Sequence, residues 1–343
     1  NKRANLTALA AILGRSRKLL CLDADLGPLT YKMLNIYRPN ERYNRITNYY
    51  PVGEGQTVYV YSNANQVKKL ASQPHSFIAT NTLRDSGMGY YLQQKQNLSG
   101  TIINSETSHD LQGYIADINE RSQADQFTAT SPSLSTGVSI DHDGYARVCG
   151  LFDASIGTSH DAVQSLWRVR NVPERHIWLD PRGNHEHIDV DARYGASLTH
   201  EEALQGRELG SKDDGYNSLV KAVRKHEQWQ RANYKYEVLR LLAMQGFEVV
   251  LHEQPKLEES EALSQLGKMI SKAENKAYIN HRVQASQLSE HDAKVLEAKQ
   301  GLTAAEHYQL ARYRVTSFYK LAPHEQDPET LTEWLKRDKR GRY

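Results

Sequence analysis

The chain has 343 residues, a formal net charge of +2 at pH 7 and two cysteines, Cys21 and Cys149. Domains usually span about 100–200 residues, so this length leaves room for one large core and a second, smaller unit. A charge so close to zero excludes overall charge as evidence for nucleic-acid binding. Two cysteines in apolar stretches argue against a disulfide framework and favour a reducing, cytoplasmic setting.

The first 61 residues predict two helices and two strands. Apolar residues at helical spacing predict a helix over Leu6–Leu13, and the continuous apolar run Lys18–Leu22 predicts a buried strand after it. Pro28 begins a second helical pattern that reaches Tyr37. Thr57–Tyr61 is β-branched and aromatic, which favours a strand.

Five further strand candidates predict a parallel sheet. They are Ser76–Thr80, Thr101–Asn104, Gln126–Thr130, Val148–Phe152 and His176–Leu179. Helical stretches separate most of them, and alternating strands and helices build parallel sheets. Ligands meet such sheets at the carboxyl ends of the strands, and small polar residues follow several of these strands.

The composition changes after Leu179. Residues 181–215 are rich in Gly, Asp, His and Glu without periodicity and predict a linker. Residues 216–343 are largely helical in pattern. We therefore expect an α/β domain with a parallel sheet flanked by helices, followed by a mostly helical C-terminal domain.

The most informative segment follows the predicted strand that ends at Thr130. It reads Ser131-Pro132-Ser133-Leu134-Ser135-Thr136-Gly137-Val138-Ser139. Gly137 allows a tight backbone turn, and such a loop can present amides and hydroxyls to phosphates. Taken alone, the same residues also fit an ordinary Ser/Thr-rich turn after a strand.

A second polar segment lies on the helix predicted over Asp161–Arg170. Gln164 and Arg168 are four residues apart and are expected on one helical face, with Arg170 close by. Two guanidiniums at a helix end suit a phosphoryl anion. The alternative is a solvated face, which is the usual place of charged residues at this spacing.

In this order the two segments resemble motifs V and VI of superfamily 2 helicases. They are most similar to the helicase half of plasmid and phage replication proteins related to the herpesvirus-type origin-binding helicases. The likeness lies in residues 131–139, in Phe152-Asp153 and in Gln164–Arg170. Upstream, Leu22–Leu26 resembles motif III, and Phe77–Thr80 and Ile102–Asn104 take the places of motifs IV and IVa. Downstream, Tyr234–Gly246 resembles the helix that follows the motor. It covers about half the chain, roughly Lys18 to Leu179. Trp167 stands where the family usually has a small residue.

The resemblance implies a RecA-like fold that clamps ATP between two domains. Residues 1–40 would close the first domain, residues 41–180 would form the second, and residues 216–343 would be a helical accessory domain. The first domain normally brings a phosphate-binding loop with its Lys and an acidic motif that holds Mg²⁺. No Gly-x-x-x-x-Gly-Lys-Ser/Thr string occurs in this sequence, so the chain alone is expected not to hydrolyse ATP. Because Asn1 is not a Met, we expect a longer protein with that domain upstream.

The resemblance also assigns roles to single residues. Arg168 and Arg170 would stabilise charge on the γ-phosphoryl group, and Gln164 would sense the nucleotide. Further cofactor contacts are expected from Gly137, Thr136, Asp23 and Asp25, and nucleic-acid contacts from Ser131, Ser133, Ser135, Ser139, Asn81, Thr82 and Ser105. Phosphate contacts of this kind would move a strand without reading its sequence.

Two segments offer metal ligands. Asp23 and Asp25 would share one face of a strand end, although Asp25 is at least as good a helix cap ahead of Pro28. The acidic and histidine-rich segment His185–Asp191 lacks a full ligand set, so no metal site is predicted there. Asp141–Gly144 is expected to be a turn.

Three functions remain open from the sequence. The first is an ATP-dependent DNA helicase or translocase that acts in plasmid, phage or mobile-element replication, with a primase as a candidate partner. The second is a helicase-like module that only anchors DNA or a partner protein. The third is a metal-dependent nuclease built on the His185 segment.

Overall fold

The computed structural model describes residues 2–21, 27–47, 50–134, 137–183, 214–252 and 255–337. The chain divides into two compact units. One, here called the helical unit, contains Asn1–Tyr50 and Gly183–Asn233, and the other, the sheet unit, contains Pro51–Arg182 and Tyr234–Tyr343. Each unit combines two separate stretches of chain, whereas the predicted domains were continuous segments. The boundaries at residues 40, 180 and 215 stay a prediction.

The sheet unit is an α/β fold built on seven parallel strands. In chain order these are β1 Thr57–Tyr61, β2 Ser76–Thr80, β3 Gly100–Ile103, β4 Phe127–Thr130, β5 Arg147–Phe152, β6 Glu174–Leu179 and β7 Glu248–Leu251. Their order across the sheet is β3-β4-β2-β5-β6-β1-β7, and every pairing is parallel. The predicted parallel α/β class is therefore confirmed, and so is β2, at its predicted bounds.

Helices cover both faces of this sheet. The helices before β7 are α3 Ala64–Ala71, α4 Leu83–Ser86, α5 Met88–Lys95, α6 Gln112–Ala116, α7 Ile118–Arg121, α8 Ser159–Leu166 and α10 Tyr234–Met244. Those after it are α11 Leu257–Gln284, α12 Glu290–Ala298, α13 Ala304–Phe318 and α14 Pro328–Arg337. The predicted helical C-terminal region is confirmed. Its helix α11 packs against α3 and α5, so it forms part of the layer that covers the sheet.

Two buried apolar clusters lie on the opposite faces of the sheet. One joins the sheet to α8 and α10 through side chains such as Phe77, Phe152, Leu166 and Val238. The other joins it to α3, α5 and α11. Strand β2 is buried over its whole length. A strand buried on both faces needs apolar residues at successive positions, which explains the run of apolar residues in β2. A third, smaller cluster packs α13 and α14 on the end of α11.

The helical unit contains α1 Lys2–Arg15, α2 Pro28–Tyr37 and α9 Asp214–Ala232. Pro28 stands at the start of α2, where its missing N–H costs no hydrogen bond. The guanidinium of Arg38 donates to the carbonyls of Leu13 (2.9 Å) and Ser16 (2.7 Å) and so ties the end of α2 to the end of α1. The sequence predicted helices at the positions of α1 and α2.

Two predictions about elements were wrong or incomplete. Lys18–Cys21, which the described residues include, forms no strand, and Leu20 is 78% exposed. A strand needs a neighbour for its backbone groups, and an apolar run alone does not provide one. Strand β7 was not predicted; it has only four residues, Glu248–Leu251, and follows soon after the turn at Gly246.

Both cysteines are free thiols, and Cys149 is buried in β5. Within the described residues, the helices are too short or too polar to cross a membrane.

Candidate functional site at the carboxyl edge and the 134–141 loop

Polar residues follow five neighbouring strands at the carboxyl edge of the sheet. Across the sheet in spatial order they are Asn104 after β3, Ser131 after β4, Asn81 after β2, Asp153 after β5 and Asp180 after β6. The parallel pairing places them side by side, because Ile103 and Ala79 both pair with Thr130. The sequence predicted this edge as the place where ligands meet the sheet.

Asn81 is a buried cross-link between two strand ends. Its amide nitrogen donates to the carbonyls of Asp153 and Ile156, both at 2.6 Å, and its amide oxygen accepts from the N–H of Asp153 at 2.9 Å. A weaker contact of 3.4 Å reaches the Tyr234 hydroxyl. The side chain is 4% exposed and its strong bonds all go to the loop after β5. Its predicted contact with phosphate stays a prediction.

Thr82 and Ser131 also use their side chains locally. The Thr82 hydroxyl caps the short helix α4 by accepting from the N–H of Asp85 at 2.8 Å. The Ser131 hydroxyl donates to Ser133 at 3.2 Å, and the Ser131 N–H donates to the carbonyl of Ile103 at 2.9 Å. Ser105 is exposed just past β3. These residues share the edge, but hydroxyls in local hydrogen bonds reach a ligand only through their remaining lone pairs.

The loop that contains Gly137 is joined to the segment after α8. The N–H of Ile140 donates to the carbonyl of Arg168 at 2.6 Å, and the N–H of Arg170 donates to the carbonyl of Ile140 at 2.9 Å. These two bonds form a parallel bridge between Ile140 and Val169. The two segments that carry the helicase resemblance therefore lie against each other in space.

Arg168 holds the two sides of this loop. Its guanidinium donates to the carbonyl of Leu134 at 3.0 Å and to the carbonyl of Val138 at 3.4 Å. Burial lowers the pKa of Arg168 below its usual value. Gly137, between those carbonyls, has φ +89°, a left-handed conformation that favours glycine. The predicted tight turn at Gly137 is confirmed.

Arg170 is exposed and points along the same surface. Its Nε donates to the Ser139 hydroxyl at 3.1 Å, and that hydroxyl donates to Asp141 at 2.8 Å. The guanidinium carbon lies 5.5 Å from the centre of the Trp167 ring, within the range of a cation–π contact. Within the described residues Arg170 forms no direct ion pair, and the Asp141 carboxylate reaches it through the Ser139 hydroxyl.

The ring of Trp167 lies next to the guanidinium of Arg170. Its indole N–H donates to the Gln245 side chain at 2.7 Å, and its ring lies 4.9 Å from the ring of Phe247. Trp167, which stands where the family usually has a small residue, therefore packs the end of α8 against the turn between α10 and β7. It does not cover Arg170, which stays exposed.

Arg175 was not singled out from the sequence. It is fully buried in β6, where it donates to the carbonyls of Leu166 (3.3 Å) and Val169 (2.9 Å) and to Gln56. Its guanidinium lies over the rings of Trp167 and Phe247. Burial, with the charge of Arg170 as a second cause, lowers the pKa of Arg175 to about 10. The only sequence signal is an Arg inside an apolar strand.

The geometry predicted for Gln164 is wrong in one respect. Helix α8 ends at Leu166, so Arg168 and Arg170 lie beyond its end and Gln164 does not share a helical face with Arg168. The bridge to Ile140 draws the chain away from the helix at this point. Gln164 is exposed on α8, and its role as a nucleotide sensor stays a prediction.

Several predicted residues lie outside the described residues. These are Asp23, Asp25, Ser135, Thr136 and the His185–Asp191 segment. Across the described residues, no three His, Cys, Asp or Glu side chains are grouped so that they could hold a metal ion. Residues 142–143 form the bend expected at Asp141–Gly144, where the N–H of Gly144 donates to His142 at 2.9 Å.

A second residue missed by the sequence analysis is Glu274 on α11. Its side chain is 6% exposed, and neither carboxylate oxygen has a hydrogen-bond partner. Arg84 approaches it to 4.0 Å, and Lys68 and Asp85 lie nearby. Burial raises the pKa of Glu274 to about 7. A glutamate on a long polar helix carries no sequence signal that would distinguish it from exposed neighbours.

Comparison with known proteins gives distant similarity only. The chain is 24% identical over 202 residues to an uncharacterized protein of Picosynechococcus sp., which covers 52% of this chain and 20% of that protein. It is 23% identical over 172 residues to a protein of African swine fever virus provisionally named as a helicase/primase complex protein, covering 48% of this chain and 16% of that protein. The chain thus spans less than a quarter of the length of these relatives. No family model matches it.

Proposed function

We propose that this chain is the second half of an ATP-dependent DNA helicase or translocase that acts in replication. The observation that carries the proposal is the contact between the 134–141 loop and the 168–170 segment. In the resembled family the first touches the nucleic acid and the second touches the nucleotide. Backbone hydrogen bonds between the two segments would transmit a conformational change from one to the other.

The charges near α8 suit an anionic partner. Arg170 is exposed, its Nε donates to the Ser139 hydroxyl, and it forms no ion pair within the described part of the chain. A guanidinium in this situation binds phosphate well. ATP would supply the phosphoryl group whose charge such a cation stabilises. The residues present fit one side of an ATP cleft.

The other side would come from a partner domain. That domain would bring the phosphate-binding loop, whose Gly-x-x-x-x-Gly-Lys-Ser/Thr string the sequence of this chain does not contain, and most of the ligands for Mg²⁺. The DNA backbone would lie along the carboxyl edge, near Ser131, Ser133 and Ser139. Similarity to a protein named for a helicase/primase complex supports replication as the setting and a primase as a partner.

The test uses the full-length protein that carries this chain. Replacing Arg168 and Arg170 together with Ala is expected to abolish DNA-stimulated ATP hydrolysis while circular dichroism and the melting temperature show an intact fold. As a matched control, the exposed Arg121 on α7 is replaced with Ala and should leave turnover unchanged. Wild-type turnover in the double variant would contradict the proposal.

A non-catalytic binding module is the second candidate. It is favoured by the commitment of Arg168 to carbonyl oxygens, and a full-length sequence without a Gly-Lys-Ser/Thr loop would favour it further. It predicts single-stranded DNA binding by this chain with no ATP hydrolysis by the full-length protein. DNA-stimulated hydrolysis lost in the double variant would exclude it.

A further inference from the structure

Three aromatic rings form a continuous strip where α13 ends beside α14. The ring of Phe318 meets Tyr319 edge to face, with ring centres 5.0 Å apart, and the centres of the Tyr319 and Trp334 rings are 4.8 Å apart. Tyr319 and Trp334 pack against the small apolar cluster at the end of α11, which holds them in place. Phe318 is 56% exposed. This aromatic strip therefore starts on a core and ends in a phenyl ring that faces solvent.

Exposed cations lie beside the aromatic strip. Lys320 follows it directly in the chain, and the guanidinium carbon of Arg337 lies 5.9 Å from the centre of the indole ring. One carboxylate is near: Glu333 accepts from Lys336 at 2.7 Å, and Lys336 first and then Arg337 lower the pKa of Glu333. Within the described residues, neither Lys320 nor Arg337 forms an ion pair. The surface around the exposed ring is therefore positive.

Acidic and basic residues are separated along α14. The carboxylates of Glu325 and Asp327 lie before its start, where both accept backbone hydrogen bonds. Lys336 and Arg337 lie in its last turn, roughly 12 Å farther along the axis at about 1.5 Å per residue. The sequence continues with three basic residues and one acidic residue at positions 338–342, outside the described residues. The dipole of α14 favours the same order, so Lys320, which lies on another segment, is the more informative cation.

Lys320 has a left-handed backbone, with φ +52°. Its N–H donates to the carbonyl of Ser317 at 3.2 Å, and the N–H of Leu321 donates to the carbonyl of Thr316 at 2.9 Å. This pair of bonds closes a helix at a position where glycine is usual, because a side chain is strained there. Backbone strain of this kind is found where a side chain has a function. Here it places a cation next to the aromatic strip.

The aromatic strip is on the same unit as the carboxyl edge of the sheet. The first residue of α13 lies beside the loop after β3, since the N–H of Ala304 donates to the Asp110 carboxylate at 2.9 Å. Phe318 lies fourteen residues farther along α13, roughly 21 Å at about 1.5 Å per residue. A ligand that runs along the edge past β3 therefore meets this helix next.

We infer that the aromatic strip, together with Lys320 and Arg337, binds single-stranded DNA. A base stacks on the exposed ring of Phe318, and neighbouring phosphates meet the two cations. Every base has a π face, so a site of this kind accepts any sequence, whereas a duplex hides the faces of its bases. The positive charge beside the ring favours a polyanion over an apolar protein surface. Only the choice of DNA over RNA rests on the proposed function.

The first arm of the experiment measures stacking. Binding of the 343-residue chain to a labelled oligothymidylate of about 15 nucleotides is followed by fluorescence anisotropy. Phe318→Ala should weaken binding about fivefold or more, and Phe318→Trp should stay within about twofold of the wild type. Phe318→Leu keeps an apolar side chain without a π face and should weaken binding as Ala does. Met269→Ala, at a residue 53% exposed on α11, is the matched control and should bind normally.

The second arm measures the phosphate contacts through salt. The slope of the logarithm of affinity against the logarithm of salt concentration should fall by about 0.7 in Arg337→Ala and in Lys320→Gly, because each removes one contact with a single strand. Lys320→Gly should also raise the melting temperature, since glycine relieves the left-handed strain. Weaker binding by a more stable variant cannot come from unfolding.

Four results would overturn the inference. They are no binding of oligothymidylate by the wild type, wild-type affinity in Phe318→Leu, a duplex bound as tightly as the single strand, and an unchanged salt slope in Lys320→Gly. Binding of oligouridylate but not oligothymidylate would overturn the choice of DNA. ATP hydrolysis plays no part in these measurements. Phe318-dependent binding in a protein that does not hydrolyse ATP would therefore support this inference and contradict the proposed function.

Discussion

The bonds of Asn81 make a strong prediction about stability. In Asn81→Ala three backbone groups lose their partner: the N–H and carbonyl of Asp153 and the carbonyl of Ile156. Each buried polar group left unpaired costs about 1–3 kcal/mol. The loop is partly exposed, so water can replace some bonds, and the expected loss is about 2–4 kcal/mol of the free energy of unfolding.

The hydrogen bonds of Asn81 predict how strongly each substitution destabilises the protein. Asn81→Asp would keep the acceptor for the N–H of Asp153 but would place carboxylate oxygens against two carbonyl oxygens. It should therefore be at least as destabilising as Asn81→Ala at pH 7. Ser105→Ala is the matched control, since Ser105 is exposed at the same edge and should change stability by less than about 0.5 kcal/mol.

Urea unfolding followed by far-ultraviolet circular dichroism and tryptophan fluorescence measures these differences. The same variants are then tested for binding to a single-stranded oligonucleotide at two salt concentrations. Suppose that the free energy of unfolding of Asn81→Ala lies within about 0.5 kcal/mol of the wild-type value, but the variant binds DNA more weakly. Asn81 would then not stabilise the protein as a cross-link, and the predicted phosphate contact would gain support.

Three more outcomes are expected from the described contacts. Glu274→Gln should remove a pH dependence: the folded protein holds a proton on Glu274 up to pH about 7, whereas the unfolded chain loses it near pH 4.5, so wild-type stability falls across that window by about 3 kcal/mol and stays low above it. The variant should match the wild type near pH 4 and exceed it at pH 8. Gly137→Ala should cost about 1 kcal/mol because of φ +89°, and Gly137→Asn less. Thr82→Ala should cost about 1 kcal/mol through loss of the α4 cap, and Thr82→Ser should restore most of it.

Each of these has a contrary result. A flat stability profile of the wild type between pH 4 and 8 would contradict the burial of Glu274 without a hydrogen bond. Equal melting temperatures for the Ala and Asn variants of Gly137 would contradict its left-handed backbone. A Thr82→Ser protein no more stable than Thr82→Ala would contradict the capping role.

The sheet was predictable because its strands carry their own signal. Ser76–Thr80 and Thr57–Tyr61 are short β-branched or apolar runs bounded by polar residues, and both agree with the structure at both ends. Lys18–Leu22 has the same local pattern, yet its described part forms no strand. Pairing partners decide this difference, and they lie far away in the sequence.

The site was predictable only in part, for a similar reason. The order of the loop and the 164–170 segment indicated that they act together, and the bridge between Ile140 and Val169 brings them into contact. The end of α8 at Leu166 depends on that same long-range bridge, so local spacing wrongly extended the helix to Arg170. Arg175 acts through backbone carbonyls, which leave no trace in a pattern of side chains.

The position of β1 has a consequence for synthesis on the ribosome. This strand lies between β6 and β7, and β7 ends about 190 residues after it in the chain. At translation rates of about 5–20 residues per second, β1 waits roughly 10–40 s before its last neighbour emerges. Until β6 emerges, about 120 residues after β1, its valines and tyrosines have no neighbouring strand to join. Capture by a chaperone, or by the same strand of a neighbouring nascent chain, competes with folding for just this interval.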